Sequence, residues 1–519
     1  MPSRHPALAR FIVASVLGRS HIMIYAHSLD RARRYYPDKT AFASAGQRLT
    51  FRELHARVGR LAAALTKHGF KAGDRLALLL PNETEFIELI YTCAWLGVIV
   101  VPLNTRLSAK EIDHVLVDAT PHGLIRHSSL PLPSVQLPWQ RVLDEEPLAE
   151  PAADDFPAIV YDPKATFALI YTSGTTGLPK GVALTHANIL ANIDHVNYWM
   201  RYREGGTYLH AAPIFHIADF PFMFASPAFG TCQVTIPRFS PQGFCETVER
   251  ERVTHTVVVP TMMNLLTQFE ELRKYDVSSL ERLGYGGSPI APGLVNRIRE
   301  VLPKVELVQV YGLTETGFIT GLQPQEHTVN RLTSCGRACP GIVVRVVDES
   351  GKEVAVGQAG ELMVRGANVM SGYWNNESET EAAFSDGMFR TGDVGYQDAE
   401  GFFYIMDRRK DMIVTGGENV YSAEVEAVIY QHPAVREAAV FGVPDANWGE
   451  LVMAIVGLKP GSSLSAEELI SFCRQSLANF KVPRRIEFTT SELPKSGSGK
   501  ILKRVLREQF WSKQQRSVA

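Results

Sequence analysis

The stretch YTSGTTGLPKGV occupies residues 171–182 and directly follows a short apolar segment, residues 167–170. It holds five hydroxyl-bearing side chains, three glycines, one proline and one lysine. Glycines let the backbone approach a ligand, and successive N–H groups together with hydroxyls form a concave anion site. Lysine adds a compact positive charge that suits phosphate. An apolar strand entering such a loop predicts a phosphate-binding site; the alternative is a polar surface turn without a ligand.

This loop differs from the P-loop of nucleotide-binding proteins. Gly174 and Gly177 are too close together, and a further glycine follows Lys180. The late stretch PKSGSGKILKR, residues 494–504, also fails, because Ile501 stands where the P-loop needs serine or threonine.

Outside the loop, apolar runs of strand length alternate with amphipathic segments, which predicts an α/β fold. The runs are residues 75–80, 98–101, 254–259 and 305–310, with a helical pattern over residues 85–95. Residues 131–162, rich in proline and acids, are expected to form an exposed connection. After residue 351 the pattern changes to shorter strands, residues 360–365 and 401–405, and the last hundred residues form a small unit behind a charged joint, residues 407–411.

Composition excludes several classes of protein. The chain has 519 residues, 45% hydrophobic and 21% charged, with a net charge of −2, so it has no basic field for nucleic acid or anionic membrane. Its length predicts more than one domain. Six scattered cysteines are not a disulfide framework and fit a reducing compartment; Cys335 and Cys339 lack the second half of a zinc site.

No segment has the pattern of a membrane-spanning helix. Residues 220–237 carry no charge, but Pro221, Pro227 and Gly230 interrupt any long helix. We interpret residues 1–22 as an extension, either disordered or preceding the true start at Met23, with a short secretory signal as the alternative.

A second constellation is QVYGLTETG, residues 309–317, which ends the apolar run 305–310. Glu315 is a hard oxygen ligand suited to Mg²⁺, and Thr314 can donate to a phosphate or carboxylate oxygen. Tyr311 offers a flat face for a base. By itself, a Thr-Glu pair after a strand is more often a helix cap.

Three further motifs follow in order: YGGSP (285–289), RTGDVG (390–395) and DRRKDMIVTGGENVYSAEVE (407–426). The flanking stretches are GELMVRG (360–366), GYWNN (372–376) and VPDANWGE (443–450). Taken together, these motifs resemble the adenylate-forming superfamily of acyl-CoA synthetases, luciferases and peptide-synthetase adenylation domains. The resemblance covers residues 36–504, and the branch it favours is that of the carboxylate–CoA ligases.

The resemblance implies a large N-terminal domain of layered sheets and helices, residues 23–409, and a small mobile α+β C-terminal domain, residues 410–519. It also implies two half-reactions. A carboxylate attacks the α-phosphate of ATP and releases pyrophosphate, and the thiol of coenzyme A then displaces AMP to form a thioester.

The nucleotide roles come from the same resemblance. The β- and γ-phosphates would be held by Thr172, Ser173, Gly174, Thr175, Thr176 and Gly177, with Lys180 supporting that end. Glu315 and Thr175 would hold Mg²⁺, and Thr314 would contact the α-phosphate. The adenosine contacts would come from Tyr311 with Gly312 and a wall of Gly286, Gly287 and Ser288, from Asp393 on the ribose, and from Arg408 on the ribose or α-phosphate.

The small domain would serve both half-reactions. Lys500 would bridge the carboxylate and the α-phosphate in the first, because its charge stabilises the transition state and brings two anions together. From the residues alone, Lys500 is a lysine in a Gly/Ser loop. Lys410 falls at the hinge position, and Gly416 and Gly417 would line the channel for the pantetheine arm.

The acyl pocket is expected around the element Pro-Ile-Phe-His and the aromatic stretch after it, which suit an aliphatic or aryl tail. The expected pocket residues are Phe215, His216, Asp219, Phe220, Tyr285 and Gly312. Ordinary core packing is the alternative for several of them. His216 is interpreted as a gate to the carboxylate site rather than a base.

Asp219 departs from the family pattern, which usually has glycine there. A buried acid needs a partner. Asp219 could pair with a cation, recognise a hydroxyl or amine of the substrate, or be solvated at a helix start; we favour a structural role.

We therefore predict an ATP-dependent carboxylate–CoA ligase that uses Mg²⁺ and coenzyme A, with a medium- or long-chain fatty acid as the first substrate class and an aryl or cyclic acid as the alternative. An acyl-AMP ligase serving a carrier protein and a non-enzymatic nucleotide-binding module are the rival functions. We expect a cytoplasmic monomer or homodimer that binds no nucleic acid, with peripheral membrane association left open. Fold alone does not choose the acid.

Overall fold

A computed structural model describes residues 25–515, apart from residues 45, 147, 149–155, 161, 174–178, 289, 291, 446–447 and 496–499. The helices among these residues are α1 (Tyr25–Tyr35), α2 (Phe51–Lys67), α3 (Thr84–Leu96), α4 (Ala109–Ala119), α5 (His186–Met200), α6 (Phe222–Phe229), α7 (Pro241–Glu251), α8 (Pro260–Thr267), α9 (Pro292–Val301), α10 (Glu377–Ala383), α11 (Ser422–Ile429), α12 (Ala466–Arg474) and α13 (Lys503–Gln515). Within this set, no helix combines the length and apolar character needed to cross a membrane.

The strands fall into two groups along the chain. Before residue 410 they are β1 (Thr40–Ser44), β2 (Gln47–Thr50), β3 (Arg75–Leu79), β4 (Ile99–Pro102), β5 (Gly123–Arg126), β6 (Trp139–Val142), β7 (Thr166–Ser173), β8 (Pro179–Thr185), β9 (Thr207–His210), β10 (Cys232–Thr235), β11 (His255–Val258), β12 (Arg282–Gly286), β13 (Glu306–Leu313), β14 (Gly317–Leu322), β15 (Arg337–Ala338), β16 (Val343–Val347), β17 (Gly360–Arg365), β18 (Gly372–Tyr373), β19 (Phe384–Ser385), β20 (Met388–Gln397) and β21 (Phe403–Arg408). After it they are β22 (Ile413–Thr415), β23 (Glu418–Val420), β24 (Val435–Asp445), β25 (Gly449–Leu458) and β26 (Arg485–Thr489).

Two large, mostly parallel sheets form the body of the N-terminal part. One has nine strands in the order β15-β14-β13-β12-β11-β9-β10-β1-β2, and the other has seven in the order β18-β8-β7-β4-β3-β5-β6. The strands from β1 through β10, β9, β11 and β12 to β13 run parallel, and the sheet ends in antiparallel partners. Parallel neighbours place their carboxyl ends at one edge, which is where loops gather in such sheets.

Two smaller sheets follow. One is antiparallel in the order β16-β17-β20-β19, with β21 added beside β20. The other is formed only by strands after residue 410, in the order β23-β22-β25-β24, with β26 beside β25. The last sheet has hydrophobic clusters of its own, built from residues between Ile413 and Phe510.

The main core lies between the two large sheets, where α3 is buried on every side. Helices α7, α8 and α9 cover the outer face of the nine-stranded sheet, and α4 covers that of the seven-stranded sheet. Helix α2 begins with a capping box, in which the Thr50 hydroxyl accepts from the Glu53 N–H and the Glu53 carboxylate accepts from the Thr50 N–H. Helix α3 ends at Gly97, whose φ of +67° is a left-handed cap.

The α/β expectation and its two-part organisation are confirmed. The apolar runs of the sequence coincide with β3, β4, β11, β13 and β17, and α3 begins at Thr84. Residues 131–162 are not connection alone, because β6 pairs with β5 and the Trp139 ring packs against Phe70 at a centroid distance of 5.3 Å. All six cysteines carry free thiols, and Cys335 and Cys339 are buried.

Candidate active site

The candidate site lies where β12 and β13 end side by side. Gly287 and Ser288 follow β12, and the turn of Thr314 and Glu315 joins β13 to its antiparallel partner β14. Because β12 and β13 are parallel neighbours, the chain after Gly286 and the turn after Leu313 open at the same edge.

Glu315 is linked to the seven-stranded sheet through Tyr373, whose hydroxyl donates to the carboxylate at 2.9 Å. Tyr373 is held in β18, which pairs with β8 next to the phosphate-loop hairpin. The Lys180 ammonium lies 5.5 Å from the centre of the Tyr373 ring and donates to the Glu379 carboxylate. Lys180 therefore stands on the same side of Tyr373 as the Glu379 carboxylate, and two of its three N–H donors remain after the bond to Glu379.

A second group is built on two antiparallel strands, β20 and β21. Asp393 and Arg408 are cross-strand partners, and the guanidinium Nε lies 3.1 Å from the Asp393 carboxylate. The Tyr311 hydroxyl donates to the other oxygen of Asp393 at 2.7 Å. The structure thus brings Tyr311, Asp393 and Arg408 together, and burial raises the pKa of the Tyr311 hydroxyl, which stays protonated as a donor.

Lys500 joins this group from the C-terminal part of the chain. Burial lowers the pKa of its ammonium to about 8, and the neighbouring Arg408 charge acts in the same direction, while Asp393 and Glu315 oppose it. Arg408, Asp393 and Glu315 come from the N-terminal part of the chain, so the fold brings Lys500 close enough for their charges to act on it. The lysine that looked ordinary in a Gly/Ser loop is therefore a half-buried cation whose charge interacts with Glu315 and Asp393.

His216 lies in a turn between β9 and α6, within reach of the Lys500 charge. Burial lowers the pKa of His216 to about 3, with a further contribution from Lys500, so its imidazole is neutral near pH 7. The Ala218 N–H donates to His216 Nδ1 at 3.1 Å, which leaves the ring proton on Nε2. A neutral imidazole with this tautomer can donate one hydrogen bond to an anion, and this fits a gate better than a base.

Asp219 has partners within the protein. Its carboxylate accepts from the Tyr208 hydroxyl at 2.6 Å and lies 2.6 Å from His210 Nδ1, and all three side chains are fully buried. The structure therefore shows Asp219 in a structural role, paired with side chains of the protein itself. It does not show this carboxylate recognising a substrate hydroxyl or amine.

Two expected pocket residues pack in the hydrophobic core, the alternative that the sequence left open for several of them. Tyr285 lies on the opposite face of β12, where its ring packs among the side chains of α8 and α9 and its hydroxyl lies 3.0 Å from His327 Nε2. Phe220 is fully buried against Phe167 and Phe224, so it belongs to the core. Phe215 stays in the turn beside His216, at 6% exposure.

The glycines of the motifs serve the backbone first. A Cβ on Gly286 would lie 2.0 Å from the Val310 carbonyl oxygen, and one on Gly312 would lie 1.8 Å from that of Gly317. Gly287 has φ of +83°, and among the described residues one atom, of Val259, lies within 4 Å of an added Cβ, so these residues leave space at the end of β12. Gly416 and Gly417 form the two-residue turn of the β22–β23 hairpin, with φ of +59° and +83°.

Part of the expected site lies outside the described residues: Gly174, Thr175, Thr176 and Gly177, and with them the Thr175 contribution to metal binding. The backbone of Ser173 ends β7, and Thr172 pairs with Lys180 across the β7–β8 hairpin. Among the residues that the structure does describe, no three His, Cys, Asp or Glu side chains gather as a metal site. Glu315 still fits Mg²⁺, since this ion is commonly bound by one or two carboxylates together with substrate phosphates.

Three residues that sequence reasoning missed hold the site in place. Asn82 anchors the start of the His216 turn, since its amide accepts from the Ile214 N–H at 3.0 Å and donates to the Ala212 carbonyl at 2.8 Å. Tyr373 belongs to the GYWNN stretch, so its motif was visible although its partner was not. Lys503, three residues after Lys500, donates to the Ser422 hydroxyl at 2.6 Å and lies 2.8 Å from the Glu426 carboxylate.

A cavity of about 240 Å³ lies elsewhere, between α2, α3 and β6. Its lining includes Arg57, Glu88 and His127 but none of the candidate site residues. We assign the chemistry to the Glu315 group, because that is where the charged and hydrogen-bonding side chains converge.

Comparison with known proteins agrees with this geometry. The profile of the AMP-binding enzyme family matches residues 29–374, and that of the AMP-binding enzyme C-terminal domain matches residues 424–500. The feruloyl-CoA synthase of Amycolatopsis sp is 38% identical over 92% of this chain and 98% of its own length. A long-chain-fatty-acid–CoA ligase of Mycobacterium tuberculosis is 36% identical over 89% of this chain and 93% of its own.

Among solved structures, the o-succinylbenzoate CoA synthetase of Bacillus subtilis, in complex with its acyl-adenylate intermediate, is 34% identical. It superposes with a TM-score of 0.84 over 92% of this chain and 97% of that one. The chain therefore belongs to the AMP-binding enzyme family and is an AMP-forming acid–thiol ligase of the acyl-CoA synthetase kind.

Proposed function

We propose that the protein adenylates an aryl carboxylic acid, such as a cinnamic or benzoic acid, and transfers the acyl group to coenzyme A. The observation that carries this choice is the packing behind the His216 turn. The rings of Phe167, Phe220 and Phe224 pack against one another with centroid distances of 5.6–6.0 Å, and each is fully buried. A long alkyl chain that extended behind the turn would have to displace these packed rings, whereas a flat ring bound in front of the turn would leave them in place.

The neighbouring packing closes the same region. The Phe222 ring stacks on Tyr208 at 5.0 Å and meets Phe318 edge-on at 5.6 Å. Core rings in such contacts resist displacement, because moving them forfeits both burial and packing. The sequence placed fatty acids first; the packing supports its alternative. The relatives include ligases named for both kinds of acid, so they do not decide the matter.

The residues would divide the first half-reaction as follows. Lys500 places its positive charge between the acid and the α-phosphate, so that two anions meet and the negative charge of the transition state is stabilised. His216 donates from Nε2 to the carboxylate. Thr314 would contact the α-phosphate, and Glu315 would hold Mg²⁺, which would neutralise phosphate charge.

The nucleoside would be held by the second group. Tyr311 provides a flat face for adenine, while Asp393 has lone pairs left to accept from the ribose hydroxyls after binding Tyr311 and Arg408. Lys180 and the loop from Thr172 would support the outer phosphates.

In the second half-reaction, the thiol of coenzyme A attacks the acyl carbon and AMP leaves. We propose that the part after residue 409 moves as a domain between the two steps, with Lys410 as its hinge. The separate sheet and cores of residues 413–510 support this division.

The test is pyrophosphate release with Mg-ATP across a panel of acids, each with and without coenzyme A. The panel pairs ferulate, 4-coumarate and benzoate with octanoate and palmitate, and Lys500→Ala is the inactive control. We expect the highest kcat/KM for an aryl acid, with thioester formed only when coenzyme A is present. A higher kcat/KM for palmitate would refute the aryl assignment, and adenylate without thioester would point to another acceptor.

A further inference from the structure

A chain of five buried side chains lies beneath the His216 turn: Tyr208, Asp219, His210, Gln233 and Tyr91, each with no exposed surface. The Tyr208 hydroxyl and His210 Nδ1 contact the two oxygens of Asp219, each at 2.6 Å. His210 Nε2 lies 3.1 Å from Gln233 Oε1, and Gln233 Nε2 donates to the Tyr91 hydroxyl at 3.5 Å. The strands β9 and β10, which are parallel neighbours, supply three of the five.

The protons of this chain can be assigned in order. Tyr91 donates its only hydroxyl proton to the Met223 carbonyl, so it must accept from the amide of Gln233. Gln233 then turns its oxygen towards His210, and this requires a proton on His210 Nε2. One further proton is shared between His210 Nδ1 and Asp219. Each contact along the chain then joins one donor to one acceptor, and the imidazole and the carboxyl together carry no net charge.

Asp219 closes the turn that carries His216. Its N–H donates to the His216 carbonyl at 2.9 Å, as does the N–H of Phe220 at 3.0 Å. The start of the same turn is held by Asn82. The turn is therefore fixed at both ends by buried polar side chains, with His216 between them.

We propose that Asp219, acting through Tyr208 and His210, is a positioning residue that fixes His216 for binding of the acid. Its role is to fill a hydrogen-bonding position between the Tyr208 hydroxyl and His210 Nδ1, not to supply charge to the substrate. This inference rests on the ligase activity of the family and is independent of which class of acid the enzyme uses.

Two substitutions separate hydrogen bonding from charge. Asp219→Asn satisfies every partner, since its oxygen accepts from Tyr208 while its NH₂ donates to His210 Nδ1 and Nε2 keeps its proton. Asp219→Ala leaves both partners unpaired and frees the end of the turn. We expect Asp219→Asn to stay within about threefold of wild type in every constant, because no hydrogen bond is lost.

For Asp219→Ala we expect the KM for the acid to rise by about tenfold or more, because displacing the His216 side chain by about 1 Å has a large effect on binding. The KM for ATP should change by less than about twofold. Both constants are measured by pyrophosphate release with the best acid of the panel, the other substrate being saturating.

The matched control is Thr256→Val, which removes a buried hydrogen bond to the Leu209 carbonyl of the same strand β9 without touching the turn. Like Asp219→Ala, this variant should lower the melting temperature. Unlike Asp219→Ala, it should leave the ratio of the KM for the acid to the KM for ATP unchanged.

Two results would overturn the proposal. If Asp219→Asn, folded and with wild-type melting temperature, loses acid binding as Asp219→Ala does, the charge itself is needed. If Thr256→Val shifts the acid KM as much as Asp219→Ala, the effect is general loss of stability. A wild-type enzyme that prefers palmitate would refute the aryl assignment and leave this comparison intact.

Discussion

At the scale of single residues, burial controls which groups carry charge in the site. Lys500 is close enough to His216 for its positive charge to make protonation of the imidazole less favourable. Desolvation lowers both pKa values, to about 8 for Lys500 and about 3 for His216. Near neutral pH, Lys500 is therefore the cation of the pair and His216 the neutral donor.

This arrangement predicts a pH limb for the first half-reaction. Lys500 must be protonated to join two anions, so kcat/KM for acid-dependent pyrophosphate release should fall as pH rises through about 8. His216 is neutral across the assay range and should add no limb near its ordinary value of 6.5. The measurement is kcat/KM at a series of pH values from about 6 to about 10, a range that extends to both sides of the expected alkaline limb.

Lys500→Arg is the matched control for this profile. Arginine keeps its charge throughout this range, so the variant should be slower but show no alkaline limb. An unchanged limb in Lys500→Arg would assign the titration to another group.

At the scale of secondary-structure elements, the motif glycines have two separate uses. Gly286 and Gly312 allow β13 to pack closely against its neighbours, because any side chain there would overlap a backbone carbonyl. Gly287 instead stands at the open end of β12. The family resemblance had assigned all three of these glycines to the adenosine contacts.

These uses predict opposite outcomes for two alanine variants. Gly312→Ala should destabilise the protein by about 3 kcal/mol or more, because a clash with a neighbouring strand's backbone is not relieved by rotating a side chain. Gly287→Ala costs only about 1–2 kcal/mol for the left-handed backbone, and its methyl group enters the space proposed for adenosine. Melting temperature and the KM for ATP measure the two effects.

We expect Gly312→Ala to lower the melting temperature more than Gly287→Ala does. We expect Gly287→Ala to raise the KM for ATP while the protein keeps nearly normal stability. If Gly287→Ala left the KM for ATP unchanged, the wall of the nucleotide site would have to lie elsewhere.

At the scale of the whole molecule, a buried polar cluster joins the two parts of the chain. Asp407, in the last strand before the joint, accepts from the Ser422 hydroxyl at 2.7 Å, and Lys503 donates to the same hydroxyl. Glu426 completes the cluster beside Lys503. The loop of Lys500 is thus tied, three residues later, to the strand that carries Arg408.

The proposed domain motion can be tested at the joint. No backbone hydrogen bond among the described residues uses the Lys410 N–H, so Lys410→Pro should preserve the arrangement that presents Lys500. Proline fixes φ near −65°, however, and removes the rotation that a hinge needs. We expect acid-dependent pyrophosphate release within about threefold of wild type and thioester formation reduced by about a hundredfold, since gating mutants lose the step that needs the motion.

Lys410→Ala serves as the control, because it removes the side chain and keeps backbone rotation. It should retain both half-reactions. Equal thioester formation by Lys410→Pro and Lys410→Ala would exclude Lys410 as the hinge.

The sequence by itself determined the α/β fold class, several of the apolar strands and helix α3, and the family of reactions. Local patterns suffice for these, since apolar periodicity sets the elements and the motif order marks the loops at their ends. Thr314, Glu315 and Asp393 could be chosen because each stands in a motif directly after or within a strand.

Only the tertiary structure decided which side chains meet. Asp219 sits nine residues from His210 and faces it only because the chain folds back from β9 through the turn. Tyr285 stands in a motif, but the alternation of side chains along β12 turns it to the opposite face. Charge states were likewise undecided by sequence, because the pKa values of Lys500 and His216 depend on burial and on charges brought from distant parts of the chain.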